Sequence, residues 1–361
     1  MVLERLEMDQ ELKNLVAIWI WAFAALYYCY SAVSQIPKGT MRLLALLPIF
    51  FFLTVLPLKL SSFLLGLPTA GSLAWLCNFK LLLFAFAKGP LADSPNLLHF
   101  VSFACLPIIP RSRHGTRTPS RDAPIVPRNV LLAIKVVLLA LTLKAYGYKA
   151  SMHPYLVLAL CCLRTYLLVE FVFAFFAALA QALLGSELDQ QFNEPWFATS
   201  LQDFWGHRWN LVAASLLRST VYLPVRNLLA PVTGHGHLNS LPAMLATFIV
   251  SGLMHELFHC YATRDRPSWE VTWFFVLHGV GVVVEVAAKK SPAGRRWSIH
   301  PAVSWPLTMA FVVMTAMWLF FPQLTRNGVD EKAMEEFYGL LSFVKESSIA
   351  LITNLGKNKY I

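Results

Sequence analysis

The sequence predicts an all-α polytopic integral membrane protein with about eight transmembrane helices. Three observations carry this expectation. The 361 residues are 57% hydrophobic. Only 14% are charged, against about 25% in ordinary soluble chains. Apolar runs of spanning length recur along the whole chain, and one helix needs about 20 such residues to cross a bilayer.

Residues 1–13 form a polar N-terminal tail, slightly acidic through Glu4, Glu7, Asp9 and Glu11. They lack the basic start and small-residue cleavage site of a secretory leader. The first apolar run, residues 15–33, therefore reads as a retained span. The second and third spans cover 41–57 and 68–87. Lys80, inside the third, is expected to snorkel or to face a cavity. Residues 88–128 then form a basic, proline-rich loop carrying Arg111, Arg113, Arg117, Arg121 and Arg128. Its apolar part, 97–109, suits a short interfacial or re-entrant helix.

The fourth span is 129–145. The fifth, 155–184, is too long for one upright helix and must tilt or project. Arg164 and Glu170 lie six residues apart within it, about 600° of helical turn, so each needs its own partner. A motif loop, 186–240, follows, with an amphipathic middle at 211–229 that carries Arg218 and Arg226. Spans six to eight are 241–260, 269–288 and 302–321. His278 and Glu285, seven apart in the seventh, lie nearly on one face. Residues 322–361 make a mixed-charge C-terminal tail. No internal repeat is visible, so the chain reads as one membrane-embedded domain.

Eight spans with a lumenal N-terminus put 88–128, 186–240 and 289–301 together in the cytosol. The two most basic connections then share a side, as the positive-inside rule requires. The net charge of +10 suits anionic lipid head groups or an anionic cofactor. Its scatter over loops argues against a nucleic-acid partner. The six cysteines include no C-x-x-C pair and behave as small hydrophobes.

Polar groups concentrate between Asn193 and His259. His255 falls in mid-helix in an apolar span, beside Glu256. Low dielectric favours an uncharged imidazole, the form a general base needs; a purely structural histidine bonding helix to helix is the competing reading. Ser251 and Gly252 just before it allow another helix to come close. His255-Glu256-Leu257-Phe258-His259 also matches the H-E-x-x-H zinc pattern. An intramembrane metalloprotease is therefore a distant alternative, short of a third ligand. The stretch Asp203-Phe204-Trp205-Gly206-His207-Arg208-Trp209-Asn210 is dense in groups that grip a large polar ligand. Tryptophan and arginine stack on bases, arginine clamps phosphate, and an asparagine amide donates to a developing oxyanion. A plain interfacial aromatic belt explains the tryptophans but not Asp203, Arg208 and Asn210 together. No G-x-S-x-G elbow, Walker loop or G-x-G-x-x-G is present.

These residues resemble the membrane-bound O-acyltransferases. Trp209-Asn210 matches the end of their F-Y-x-[DE]-W-W-N motif, and Met254-His255-Glu256 their H-E helix. The resemblance is closer to the plant wax synthases, the long-chain-alcohol O-fatty-acyltransferases. Its phrases run from Asn78-Phe79-Lys80 through Gln191–Pro195, Thr199–Gly206 with Arg208-Trp209-Asn210, Val250–Glu256 and Arg266–Glu270 to Phe274–Gly279. His207 departs from it, where a different basic residue, commonly arginine, is expected, and His259 lies outside it.

The resemblance implies acyl transfer from fatty acyl-CoA to a long-chain fatty alcohol, with sterol or diacylglycerol as alternative acceptors. It implies a multi-pass protein of the endoplasmic reticulum membrane among membrane lipids. Acyl-CoA is a co-substrate and no further cofactor is called for; oligomeric state stays open. His255 is then the expected base, with Asn210 polarising the thioester carbonyl. Asn193, Asp203, Trp205, Arg208 and Trp209 are expected to bind substrate. Glu256 is a candidate to orient His255 or to make another contact.

Overall fold

The computed structural model describes residues 2–110, 128–185, 187–233, 239–292 and 300–357. The described chain is helical, with one isolated β-bridge between Pro110 and Leu188. Helices α1 (Val2–Ser31), α2 (Thr40–Val55), α3 (Phe63–Ala85) and α4 (Leu97–Cys105) form a first group. Their core includes Ile18, Leu26, Leu46, Leu73, Leu81, Phe100 and Phe103. The second group is α5 (Arg128–Tyr146), α6 (Pro154–Leu184) and α7 (residues 211–233, with a wide π-turn at Arg218–Tyr222). It continues with α8 (Ser240–Thr263), α9 (Glu270–Lys290), α10 (Pro301–Arg326) and α11 (Val329–Lys357).

Seven of these helices are long and apolar enough to cross a membrane: α1, α2, α3, α6, α8, α9 and α10. They correspond to seven of the eight expected spans. The fourth expected span falls on α5, outside these seven. It carries Lys135, yet exposes Val130, Leu132, Val136, Val137 and Leu141. Lys135 donates to Glu170 of α6 at 2.6 Å and to Glu194 at 2.9 Å. An ammonium buried among helices needs such partners. The short turn between α5 and α6 makes them an antiparallel pair, so a crossing by α6 carries α5 with it.

The outer surface is apolar, as a lipid-facing surface must be. Phe51 is 72% exposed and Trp318 68%. The polar residues face inward and have partners. Arg164 is buried with its guanidinium 4.8 Å from the Tyr146 ring centroid, and Glu170 meets Lys135, so these two do go to separate partners. Lys80 neither snorkels nor faces a cavity. Its ammonium donates to the Phe103 and Leu106 carbonyls, each at 2.7 Å. It closes the C-terminus of α4, where orphan carbonyls favour a cation.

Both polar tails are helical. Residues 2–13 begin α1, and Glu11 accepts the Ser61 amide at 3.1 Å. Residues 329–357 form α11, whose Glu336 caps α3 by accepting the Phe63 and Leu64 amides at 2.9 Å. Residues 111–127, the arginine-rich part of the proline-rich loop, lie outside the described residues. The segment before them reaches the motif loop: the Asp189 amide donates to the Ile109 carbonyl at 3.0 Å. Lys289, at the end of α9, donates to Ser200 at 3.2 Å. Ile109 and Lys289, at the described edges of the two basic connections, thus both touch the motif segment.

Two glycines set the α8–α9 spacing. A Cβ on Gly252 would lie 3.1 Å from Thr272 Cα, and one on Gly279 would lie 2.7 Å from Phe248 Cβ. Without side chains there, α8 and α9 approach closely enough to bring His255 onto Phe275.

Candidate active site

Within the motif segment, Leu201–Asp203 form a short helical turn that continues as a wide π-turn over Phe204–Arg208. The turn begins at Ser200, beside Lys289 at the end of α9, and descends along that helix. Glu285 accepts the amides of Leu201 at 2.8 Å and Gln202 at 3.4 Å. The Trp205 indole then donates to Nδ1 of His278 at 3.0 Å. Eleven residues of helix separate Lys289 from His278, about 16 Å at 1.5 Å per residue. The turn thus reaches the middle of α9.

The ends of so short a helical segment leave backbone groups that protein must satisfy. Here the turn's own side chains do much of this. Ser200 Oγ accepts the Asp203 amide at 3.1 Å, and Asp203 accepts the Thr199 amide at 3.4 Å. Arg208 pairs with Asp203 at 2.6 Å and reaches the Asn193 and Glu194 carbonyls at 3.4 Å. Amides of Asn193, Trp209 and Leu211 donate to carbonyls of Arg208, Phe204 and Gln191 at 2.8–2.9 Å. Trp209 stacks on Phe204, 5.6 Å between centroids, and also meets Phe192 and Tyr166.

Beneath the turn lies a cavity of about 490 Å³, within the range of small-molecule sites. Trp205, Trp209 and Asn210 form one wall and Arg218 and Tyr222 of α7 another. Met244, Ser251 and His255 come from α8, Phe275 and Val282 from α9, and Trp75 from α3. His255 is half-buried, with Phe275 4.3 Å away between centroids and Trp75 edge-on at 6.0 Å. Its Nδ1 lies 2.8 Å from the Ser251 carbonyl. A carbonyl only accepts, so Nδ1 carries the hydrogen and Nε2 keeps its lone pair for a ligand. Asn210 has φ 37°, and its Oδ1 accepts the Ala213 amide at 3.0 Å, capping α7. That bond sets the amide's orientation and leaves Nδ2 as the donor. The cavity therefore brings together a base, an amide donor and apolar walls.

The family model for membrane bound O-acyl transferases matches residues 188–277. This interval holds the turn, Asn210 and His255. A long-chain-alcohol O-fatty-acyltransferase of Simmondsia chinensis is 45% identical, over 96% of this chain and 99% of its own length. An Arabidopsis thaliana protein named a probable long-chain-alcohol O-fatty-acyltransferase is 43% identical, over 94% and 98%. An acyl-CoA–sterol O-acyltransferase of Arabidopsis thaliana is 39% identical, over 93% and 97%. The chain belongs to the membrane-bound O-acyltransferases. It is an enzyme.

In this acyltransferase the expected site residues separate into two groups. His255, Asn210, Trp205 and Trp209 line the cavity. Asp203 and Arg208 pair with each other in the turn, while Asn193 is exposed, with its amide nitrogen 3.5 Å from the His207 carbonyl. The Arg208 guanidinium, expected to bind substrate, is engaged by Asp203 and by the Asn193 and Glu194 carbonyls. Glu256 does not orient His255. It is 3% exposed and accepts the Trp269 amide at 2.9 Å, with the Thr272 amide and hydroxyl at 3.3 and 3.2 Å. It therefore serves as the N-cap of α9, because Trp269 at the cap position has no side-chain acceptor.

His259 has its Nε2 3.4 Å from the Thr263 hydroxyl and 3.5 Å from the Asn327 amide. Among the described residues no three His, Cys, Asp or Glu side chains gather as a metal site. The cavity also uses residues outside the expected site set: Trp75, Met244, Phe275, and Arg218 with Tyr222. The exposed Arg218 guanidinium lies 5.3 Å from the Tyr222 ring centroid and makes no ion pair among the described residues. An arginine interrupting the amphipathic 211–229 segment was the available signal for it.

Proposed function

We propose that this enzyme moves a fatty acyl group from acyl-CoA to a long-chain fatty alcohol, giving a wax ester and free CoA. The observation that carries the reading is His255 with Nε2 open to a cavity it shares with Asn210. The alcohol oxygen attacks the thioester carbonyl while Nε2 takes its proton. The oxyanion that forms accepts from Asn210 Nδ2. Collapse breaks the carbon–sulfur bond, and the imidazolium returns the proton to the departing thiolate. General-base catalysis of this kind is worth about 10²–10⁴-fold in rate, and one oxyanion donor about 10²–10³-fold. Arg218, at the cavity wall and without an ion-pair partner among the described residues, suits a CoA phosphate better than Arg208 does. The apolar walls suit the acyl and alkyl chains.

The reading places the enzyme in the endoplasmic reticulum membrane, with the turn's entrance facing the cytosol where acyl-CoA is dissolved. It uses no cofactor beyond acyl-CoA as co-substrate, and EDTA or o-phenanthroline should leave the rate unchanged. A sterol acceptor is the second reading, favoured by the 39% identity to the sterol enzyme. Expression in yeast lacking its own neutral-lipid acyltransferases, with fatty alcohol fed, separates the two. Wax esters are expected; steryl esters alone would replace the alcohol reading.

A further inference from the structure

His278 is fully buried in the middle of α9 and does not line the cavity. A buried ionisable residue in a membrane helix calls for a function, and the chemistry above leaves it unused. Its bonds run in one direction. The Trp205 indole N–H donates to Nδ1 at 3.0 Å. An indole nitrogen only donates, so Nδ1 holds the lone pair and the ring hydrogen is on Nε2. Nε2 faces the Thr315 hydroxyl of α10 at 2.8 Å. Thr315 in turn donates to the Phe311 carbonyl at 2.7 Å. A hydrogen on Nδ1 would set two N–H groups against each other. His278 is thus the opposite tautomer from His255, whose hydrogen is on Nδ1.

The relay spans three elements that no covalent segment holds in register: the turn, α9 and α10. Its end on the turn is the Trp205 ring, a cavity wall. That ring lies 5.6 Å from Phe275, which in turn lies 4.3 Å from His255. Trp205 also stands five residues before Asn210. We propose that His278 is a positioning residue for acyl transfer: through Trp205 it sets the turn carrying Asn210 at a working distance from His255 on α8. Glu285, two helical turns along the same face, seats the start of the turn through the Leu201 and Gln202 amides. The seven-residue spacing of His278 and Glu285 thereby becomes a two-point dock. The proposal rests on the reading of His255 and Asn210 as the reacting groups.

The test measures kcat and both KM values in membranes, normalised to folded protein by detergent size-exclusion. His278→Leu removes the acceptor. Its kcat is expected to fall about tenfold or more with KM for acyl-CoA nearly unchanged, the scale on which orienting contacts act. His278→Asn places an amide oxygen near the Nδ1 position and is expected to restore kcat to within roughly threefold of the parent. Trp205→Phe with His278→Leu should be no worse than the poorer single variant, because both remove one contact. Unchanged kcat in His278→Leu, an Asn variant no better than Leu, or multiplying losses in the double variant would overturn the proposal. If His278→Leu does not fold, Trp205→Phe decides: a fall in kcat of about tenfold with KM for acyl-CoA nearly unchanged supports the relay, and a normal kcat overturns it. His255→Ala, run in parallel, separates the two levels, since activity there removes the underlying site reading.

Discussion

His255 donates its Nδ1 hydrogen to the carbonyl of Ser251, one turn earlier on the same helix, at 2.8 Å. That bond selects the tautomer and leaves Nε2 with the lone pair that the proposed base needs. The orienting group is therefore backbone, and it does not need Glu256. His255→Ala is expected to abolish ester formation from labelled acyl-CoA, a loss of about 10²-fold or more, at normal membrane expression. Activity retained at normal expression would dismiss His255 as the base.

Asn210 carries two roles that one substitution separates. Its Oδ1 caps α7, worth about 1 kcal/mol, while Nδ2 is the proposed oxyanion donor. Asn210→Asp keeps the cap acceptor and tolerates the positive φ, but loses the N–H. Thermal stability in detergent should hold while kcat falls about 10²-fold or more. A parallel loss of stability and kcat would reduce Asn210 to a cap.

Glu256 behaves oppositely. Glu256→Ala strands the Trp269 and Thr272 amides at the start of α9, at about 1–3 kcal/mol for each unpaired buried donor. A lowered Tm and a smaller folded fraction are expected, with kcat per folded enzyme little changed. A large kcat loss at unchanged Tm would reinstate Glu256 beside the chemistry.

Arg208 and Arg218 are expected to part in the same way. Arg208→Ala breaks the turn's own ion pair and should lower the folded fraction. Arg218→Ala should raise KM for acyl-CoA about tenfold, equivalent to 1.4 kcal/mol, and leave KM for the alcohol alone. Steady-state kinetics with each substrate varied checks both.

Lys135 joins Glu170 and Glu194 and so ties α5, α6 and the entry to the turn together. Lys135→Met leaves two carboxylates unpaired and should cost about 3–5 kcal/mol. Adding Glu170→Gln and Glu194→Gln should recover much of it. A single Met variant as stable as the parent would show that these carboxylates find other partners.

The spans were readable because lipid imposes a one-dimensional rule: enough apolar residues in a row. α5 was read as a span by the same rule, and only the structure shows that its Lys135 is met by Glu170 and Glu194. The concentration of polar groups from Asn193 to His259 was equally visible. What each group does was not. Asp203 and Arg208 pair with each other inside the turn, and a folded turn packed among helices needs the same donors and acceptors that a ligand would.

By itself the sequence determined the membrane class, the apolar spans and the family resemblance, and it singled out His255 and Asn210 as candidates. Each of these depends on local composition or on short motifs. Only the tertiary structure decided which polar groups face the cavity and which hold the turn. That choice depends on which backbone amides are left without partners where α8, α9 and the turn meet. Glu256 and His278 show it most directly: one caps α9 and the other anchors Trp205, and both partners lie on other elements.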